Sequence, residues 1–163
     1  MRSRATIATA ILAMVALGGV LATPAMLVRV RLEDGSTLVC RRVSPASTIA
    51  ITFTHSLYGG HVTETYVPGG GALVRSSIVT ANAAAAEYYA WDGAVRATDD
   101  GYEVVAPPLA VDALPIRVDQ VGDHRLTVDE TVFPLAAMVD GSVQVWLDLV
   151  SRPLISQMWG TRC

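Results

Sequence analysis

Short runs in which apolar and polar residues alternate, each closed by a glycine, proline or aspartate turn, recur along this chain and dictate a strand-built fold. Residues 26–32 alternate apolar side chains with Arg29 and Arg31, and Asp34-Gly35 then offers a tight turn into 37–41. Residues 48–55 place Ile49, Ile51 and Phe53 on one face and Thr48, Ala50, Thr52 and Thr54 on the other. Leu57-Tyr58-Gly59-Gly60 turns the chain into a returning strand at 62–67, and Pro68-Gly69-Gly70-Gly71 breaks it before 73–79. Further strands fall at 102–105, 111–118, 124–128 and 131–135, and Val143, Val145, Leu147 and Leu149 share one face of the last. Residues 82–93 differ: Asn82 can cap a helix, 83–86 are all alanine, and Gly93 can end it. Many short antiparallel strands at this spacing predict an all-β domain, a β-sandwich or small barrel with one short helix.

What precedes that domain is a targeting segment. Met1-Arg2-Ser3-Arg4 is basic, and residues 5–22 carry no charge. The order fits a secretory signal with small residues at Leu21-Ala22-Thr23-Pro24-Ala25, or an uncleaved anchor helix whose arginines stay in the cytoplasm. Both readings send residues 26–163 across the membrane as a single extracytoplasmic domain. Without residues 1–22 the chain keeps ten arginines against fifteen carboxylates, and it has no lysine. The arginines are scattered, which excludes the basic stripe of a nucleic-acid surface. Of the two cysteines, Cys40 and Cys163, an oxidising compartment would allow a disulfide. Equally, Cys40 can serve as a small core residue and Cys163 sit in a fraying end.

The most informative polar stretch is Thr54-His55-Ser56 with Val62-Thr63-Glu64-Thr65-Tyr66. Alternation puts His55 on the face of Ile49, Ile51 and Phe53, and any even-length turn puts Glu64 on that face too. A two-residue turn at Gly59-Gly60 sets position 55 opposite 64; a four-residue turn sets it opposite 62. A histidine and a glutamate at the edge of an apolar face cost desolvation free energy unless they satisfy each other or a ligand. They read as a structural pair or as a ligand or partner site. His55, His61 and Glu64 are metal-ligand types, but His61 and Glu64 fall on opposite faces, so no metal or other cofactor is expected. Ser56 beside His55 lacks the Gly-x-Ser-x-Gly elbow of a hydrolase, and adjacent strand residues point apart. Glu87-Tyr88-Tyr89-Ala90-Trp91 forms a second candidate, either lining a pocket or partner surface or packing the helix on the sheet. His124 beside a turn reads as solvated.

The segments Thr54-His55-Ser56, Val62-Thr63-Glu64-Thr65-Tyr66 and Gly70-Gly71-Ala72-Leu73 together resemble a family of small exported bacterial proteins, domain of unknown function 1850. Its pattern runs from an apolar strand into a His-Ser or Asn-Ser pair, a short turn, a strand with a glutamate followed by an aromatic, and a glycine turn. The later Glu87-Tyr88-Tyr89 is similar to the variant found in high-GC bacteria, and the resemblance spans about 38–128. Such proteins are commonly encoded beside, or fused to, the membrane subunit of TAXI-type TRAP transporters, which take up organic acids. The resemblance therefore implies a non-enzymatic accessory protein at the outer face of that permease, with no cofactor. The shared positions are His55, Ser56, Glu64 and Tyr66, with Glu87 and Tyr88; the family assigns none of them a role. The chain departs from the pattern after Val79, where many members carry Gly-Ala-Gly and this one has alanine at 83–86. Two other readings stand beside this one: an independent binding module for a small apolar or acidic ligand, which needs a cavity, and a hydrolase, which needs Ser56 against a histidine.

Overall fold

The computed structural model describes residues 24–90, 93–105 and 107–153. The expected signal or anchor at 1–22, Trp91 and Cys163 lie outside the described residues. The elements are β1 (Pro24–Leu32), β2 (Thr37–Arg42), β3 (Ile49–Thr54), β4 (His61–Gly69), β5 (Ala72–Thr80), helix α1 (Ala83–Ala90), β6 (Ala94–Thr98), β7 (Gly101–Val105), β8 (Ala110–Val111), β9 (Ala113–Val118), β10 (Arg125–Val128), β11 (Thr131–Phe133), a 3-10 turn (Leu135–Ala137) and β12 (Val143–Pro153). A four-stranded sheet runs β2-β1-β12-β9, and an eight-stranded sheet runs β11-β10-β3-β4-β5-β7-β6, with β8 also pairing β5. Every pairing is antiparallel. The fold is an all-β sandwich with one short helix, and its two sheets remain separate rather than closing into a barrel.

The main core lies between the sheets. Val28, Val30, Val145 and Leu147 of the small sheet pack with Ile49, Ile51, Tyr66, Leu126 and Val128 of the large one. On the opposite face of the small sheet, Arg29 donates to both oxygens of Asp148 at 2.9 and 2.8 Å, and Arg31 donates to it at 3.2 Å. The Arg31 guanidinium also lies 5.1 Å from the Trp146 ring centroid. Cys40 sits opposite Arg29 in the β1–β2 register and is engaged in a disulfide.

Four strands cannot cover the inner face of eight, so the large sheet needs a second lid. Val62, Ile78 and Val104 meet Ala85, Ala86 and Ala90 of α1 in a second buried cluster. The helix is an N-cap structure in the expected sense: Asn82 Oδ1 accepts the amides of Ala84 and Ala85 at 2.9 and 3.1 Å. The Asn82 side-chain amide also donates to the Tyr58 carbonyl at 2.9 Å, which ties the β3–β4 hairpin tip to the start of the helix. Three details differ from the sequence reading. The single strand expected at 111–118 is broken at Asp112, where the chain leaves the large sheet, in which β8 pairs β5, for the small one, in which β9 pairs β12. β6 was not expected, because all five of its residues are exposed and carry no apolar alternation. The strand anticipated at 131–135 stops at Phe133, where Pro134 lacks the N–H that a ladder needs and a 3-10 turn follows.

Candidate functional site

Helix α1 and the edge strand β9 cover different parts of one sheet face and leave a cleft between them. An eight-residue helix is only about 12 Å long, so it cannot close the gap to the small sheet. The cleft has a wider part of about 550 Å³ between Tyr88 and Tyr89 on one side and Arg117, Asp119 and His124 on the other. An adjoining slot of about 250 Å³ reaches over Ile51, Phe53 and Glu64 beneath Leu114 and Ile116. Phe53 belongs to the floor of both parts, and His124 stacks on its ring at 5.5 Å and 14°.

Pairing of β3 with β4 corrects the expected hairpin. The His55 amide donates to the Gly60 carbonyl at 3.0 Å and the Gly59 amide donates to the His55 carbonyl at 2.9 Å. His55 thus closes the turn on Gly60 instead of facing 62 or 64, and Glu64 lies opposite Ile51. The two share a face, as alternation requires, but Phe53 intervenes and each has its own partners. His55 Nδ1 accepts the amides of Leu57 and Tyr58 at 3.2 and 3.3 Å, which needs its lone pair and leaves Nε2 to carry the ring proton. Its ring sits 5.0, 5.3 and 5.8 Å from those of Tyr58, Tyr88 and Tyr89. Glu64 Oε2 instead accepts the Tyr66 hydroxyl at 2.5 Å.

That carboxylate sets the electrostatics of the floor. Burial first, and then the Glu64 charge, holds the Tyr66 phenol well above its usual range. Burial, Glu64 and Tyr88 push the Tyr89 phenol up to about 12. Both hydroxyls therefore stay protonated at neutral pH, and that of Tyr66 donates to Glu64. His124, expected to be solvated, is half-buried, and its Nδ1 makes no hydrogen bond among the described residues. Burial lowers its pKa from 6.5 against the opposing pull of Asp119 and Asp123. As the pH falls below about 6.5 the unfolded chain takes up this proton first, so stability present above that value is lost through the acid side. Substituting His124→Phe, which keeps a ring on Phe53, should flatten the decline in urea midpoint between about pH 7 and pH 5 relative to wild type.

Of the anticipated residues, His55, Ser56, Tyr88 and Tyr89 line the wide part and Glu64 lines the slot. Tyr66 is buried behind Glu64, and Glu87 and His61 are exposed. Ser56 is exposed in the turn, and among the described residues no hydrogen bond joins it to His55 or His124. Among the described residues no group of three His, Cys, Asp or Glu side chains is arranged to hold a metal ion. The opposite wall, Arg117, Asp119 and His124, was not anticipated; it comes from β9 and the loop after it. That loop is built by Asp119, whose carboxylate accepts the Gly122 amide at 2.6 Å, and by Gly122, whose carbonyl accepts the Thr54 amide at 2.7 Å. Leu57, Tyr88 and Val121 line the cleft and stand exposed at its mouth, and the Tyr58 ring is exposed against His55. No protein-family model, curated protein or solved structure matches the chain.

Proposed function

We propose that the chain is a non-enzymatic, extracytoplasmic accessory protein of a TAXI-type TRAP transporter, and that the rim of the cleft is the surface it offers to the membrane subunit. The observation that carries this reading is the apolar rim: Leu57 is 72 %, Tyr88 55 % and Val121 80 % exposed, and they surround one opening. Large apolar side chains clustered at a mouth, with tyrosines among them, are what a protein partner buries. The residues that carry the family resemblance gather at the same place, since His55, Ser56 and Tyr88 line the cleft and Glu64 lies in its floor. An oxidising, extracytoplasmic location agrees with the basic-then-apolar start and with the disulfide at Cys40.

The test is a pull-down from membranes using the full chain tagged at its C-terminus, comparing wild type with Leu57→Asp/Val121→Asp. Both sites are exposed, so folding should survive, with circular dichroism as the check. Recovery of a multi-span permease by wild type and its loss in the double variant is the expected result. Equal recovery by both would move the contact surface elsewhere on the domain, and absence of any membrane protein would remove the accessory role. The second reading, an independent ligand-binding module, is favoured by the cleft itself, whose volume lies within the range usual for small-molecule sites.

A further inference from the structure

The slot contains two opposite charges that do not meet. Glu64 and Arg117 both line it, yet among the described residues neither belongs to an ion pair. Arg117 is steadied through Nε, which donates to the Ser142 hydroxyl at 2.9 Å, and its terminal nitrogens make no bond within the described chain. Glu64 uses Oε2 for the Tyr66 hydroxyl, and its Oε1 accepts no hydrogen bond among the described residues. The rest of the slot's lining is mostly apolar, with Ile51, Phe53, Leu114, Pro115 and Ile116 beside His124.

A half-buried carboxylate over an apolar floor repels an anion and attracts a cation, while the guanidinium at the strand edge does the reverse. A ligand carrying only one charge would satisfy one end and oppose the other. A ligand carrying both, separated by a short span, satisfies both. The wider part then receives an uncharged flat group against the stacked Phe53 and His124 rings, facing Tyr89.

We propose that the cleft binds a small zwitterion with an apolar side group, of which an α-amino acid is the simplest form. Its ammonium group meets Glu64, its carboxylate meets Arg117, and its side group lies along Phe53. The site belongs to this chain alone and does not depend on the permease being its partner.

Titration calorimetry on the purified full chain in mild detergent at neutral pH tests this with L-phenylalanine, L-leucine, 2-phenylethylamine and 3-phenylpropionate. The two amino acids should bind. Each one-charge analogue, lacking the carboxylate or the ammonium group of phenylalanine, should bind at least about tenfold more weakly, the usual effect of leaving a charged hydrogen-bonding group unpaired. Glu64→Gln should weaken phenylalanine about as much while leaving 3-phenylpropionate no worse. Arg117→Gln, at an exposed edge where folding is not at risk, should do the converse with 2-phenylethylamine. The proposal is overturned by absence of binding for both amino acids, by 3-phenylpropionate binding as tightly as phenylalanine, or by amino-acid affinity that Arg117→Gln does not change.

Discussion

Replacing Asp148 by asparagine is expected to lower the unfolding free energy by about 3 kcal/mol, the range for removing one partner of a buried charge cluster. Asp148 is only 7 % exposed and, among the described residues, is the one carboxylate serving both Arg29 and Arg31. Asparagine keeps the size but removes the charge, and its amide turns a donor towards guanidinium donors. The arginines retain some solvent, with side chains 19 % and 31 % exposed, which holds the loss at the lower end of what fully buried pairs show. Urea unfolding of wild type and variant reads this directly. A combined Arg29→Met/Arg31→Met/Asp148→Leu variant should recover much of the loss, because replacing a whole charged cluster with apolar groups avoids the stranded charges. A loss under about 1 kcal/mol for asparagine would mean that water already screens the cluster.

Enlarging Ala86 to leucine is expected to cost about 2–3 kcal/mol and to disturb the cleft at the same time. Ala85 and Ala86 are completely buried against Val62, Ile78 and Val104. Three methyl-sized side chains on one helix face let α1 lie close to the sheet, so a branched side chain at 86 must push the helix outward. The helix carries Tyr88 and Tyr89, which form one wall of the cleft, so any ligand or partner that uses this wall should be lost along with the stability. Substituting Ala84→Leu, at an exposed position of the same helix, is the control and should change little. Equal effects at 84 and 86 would contradict the packing described for the helix.

The strands that face a core on one side were legible because alternation is the direct imprint of one buried face. Ile49, Ile51 and Phe53 show it, as do Val143, Val145 and Leu147. The helix was legible from Asn82 and the alanines after it. β6 was not, since a fully exposed edge strand has no buried face to imprint. The shared face of His55 and Glu64 followed from parity alone, whereas their separation depended on where the turn closes, which Gly59-Gly60 does not specify. Half of the cleft was invisible for a different reason. Arg117, Asp119 and His124 reach it from a strand of the other sheet and its following loop, and only the packing of two sheets of unequal width creates the gap they line. The nearest local signal was Asp119 ahead of Val121-Gly122-Asp123, a turn whose carboxylate folds back on the chain, and it announces a loop rather than a wall.

Site-specific photo-crosslinking in intact cells tests the central claim most directly, with the reactive side chain placed at Leu57 on the rim and, as a control, at Val132 on β11, which is also exposed. The accessory role predicts an adduct with a multi-span membrane subunit from position 57 and little or none from 132. Adducts of equal yield from both positions, or no membrane-protein adduct from either, would contradict it.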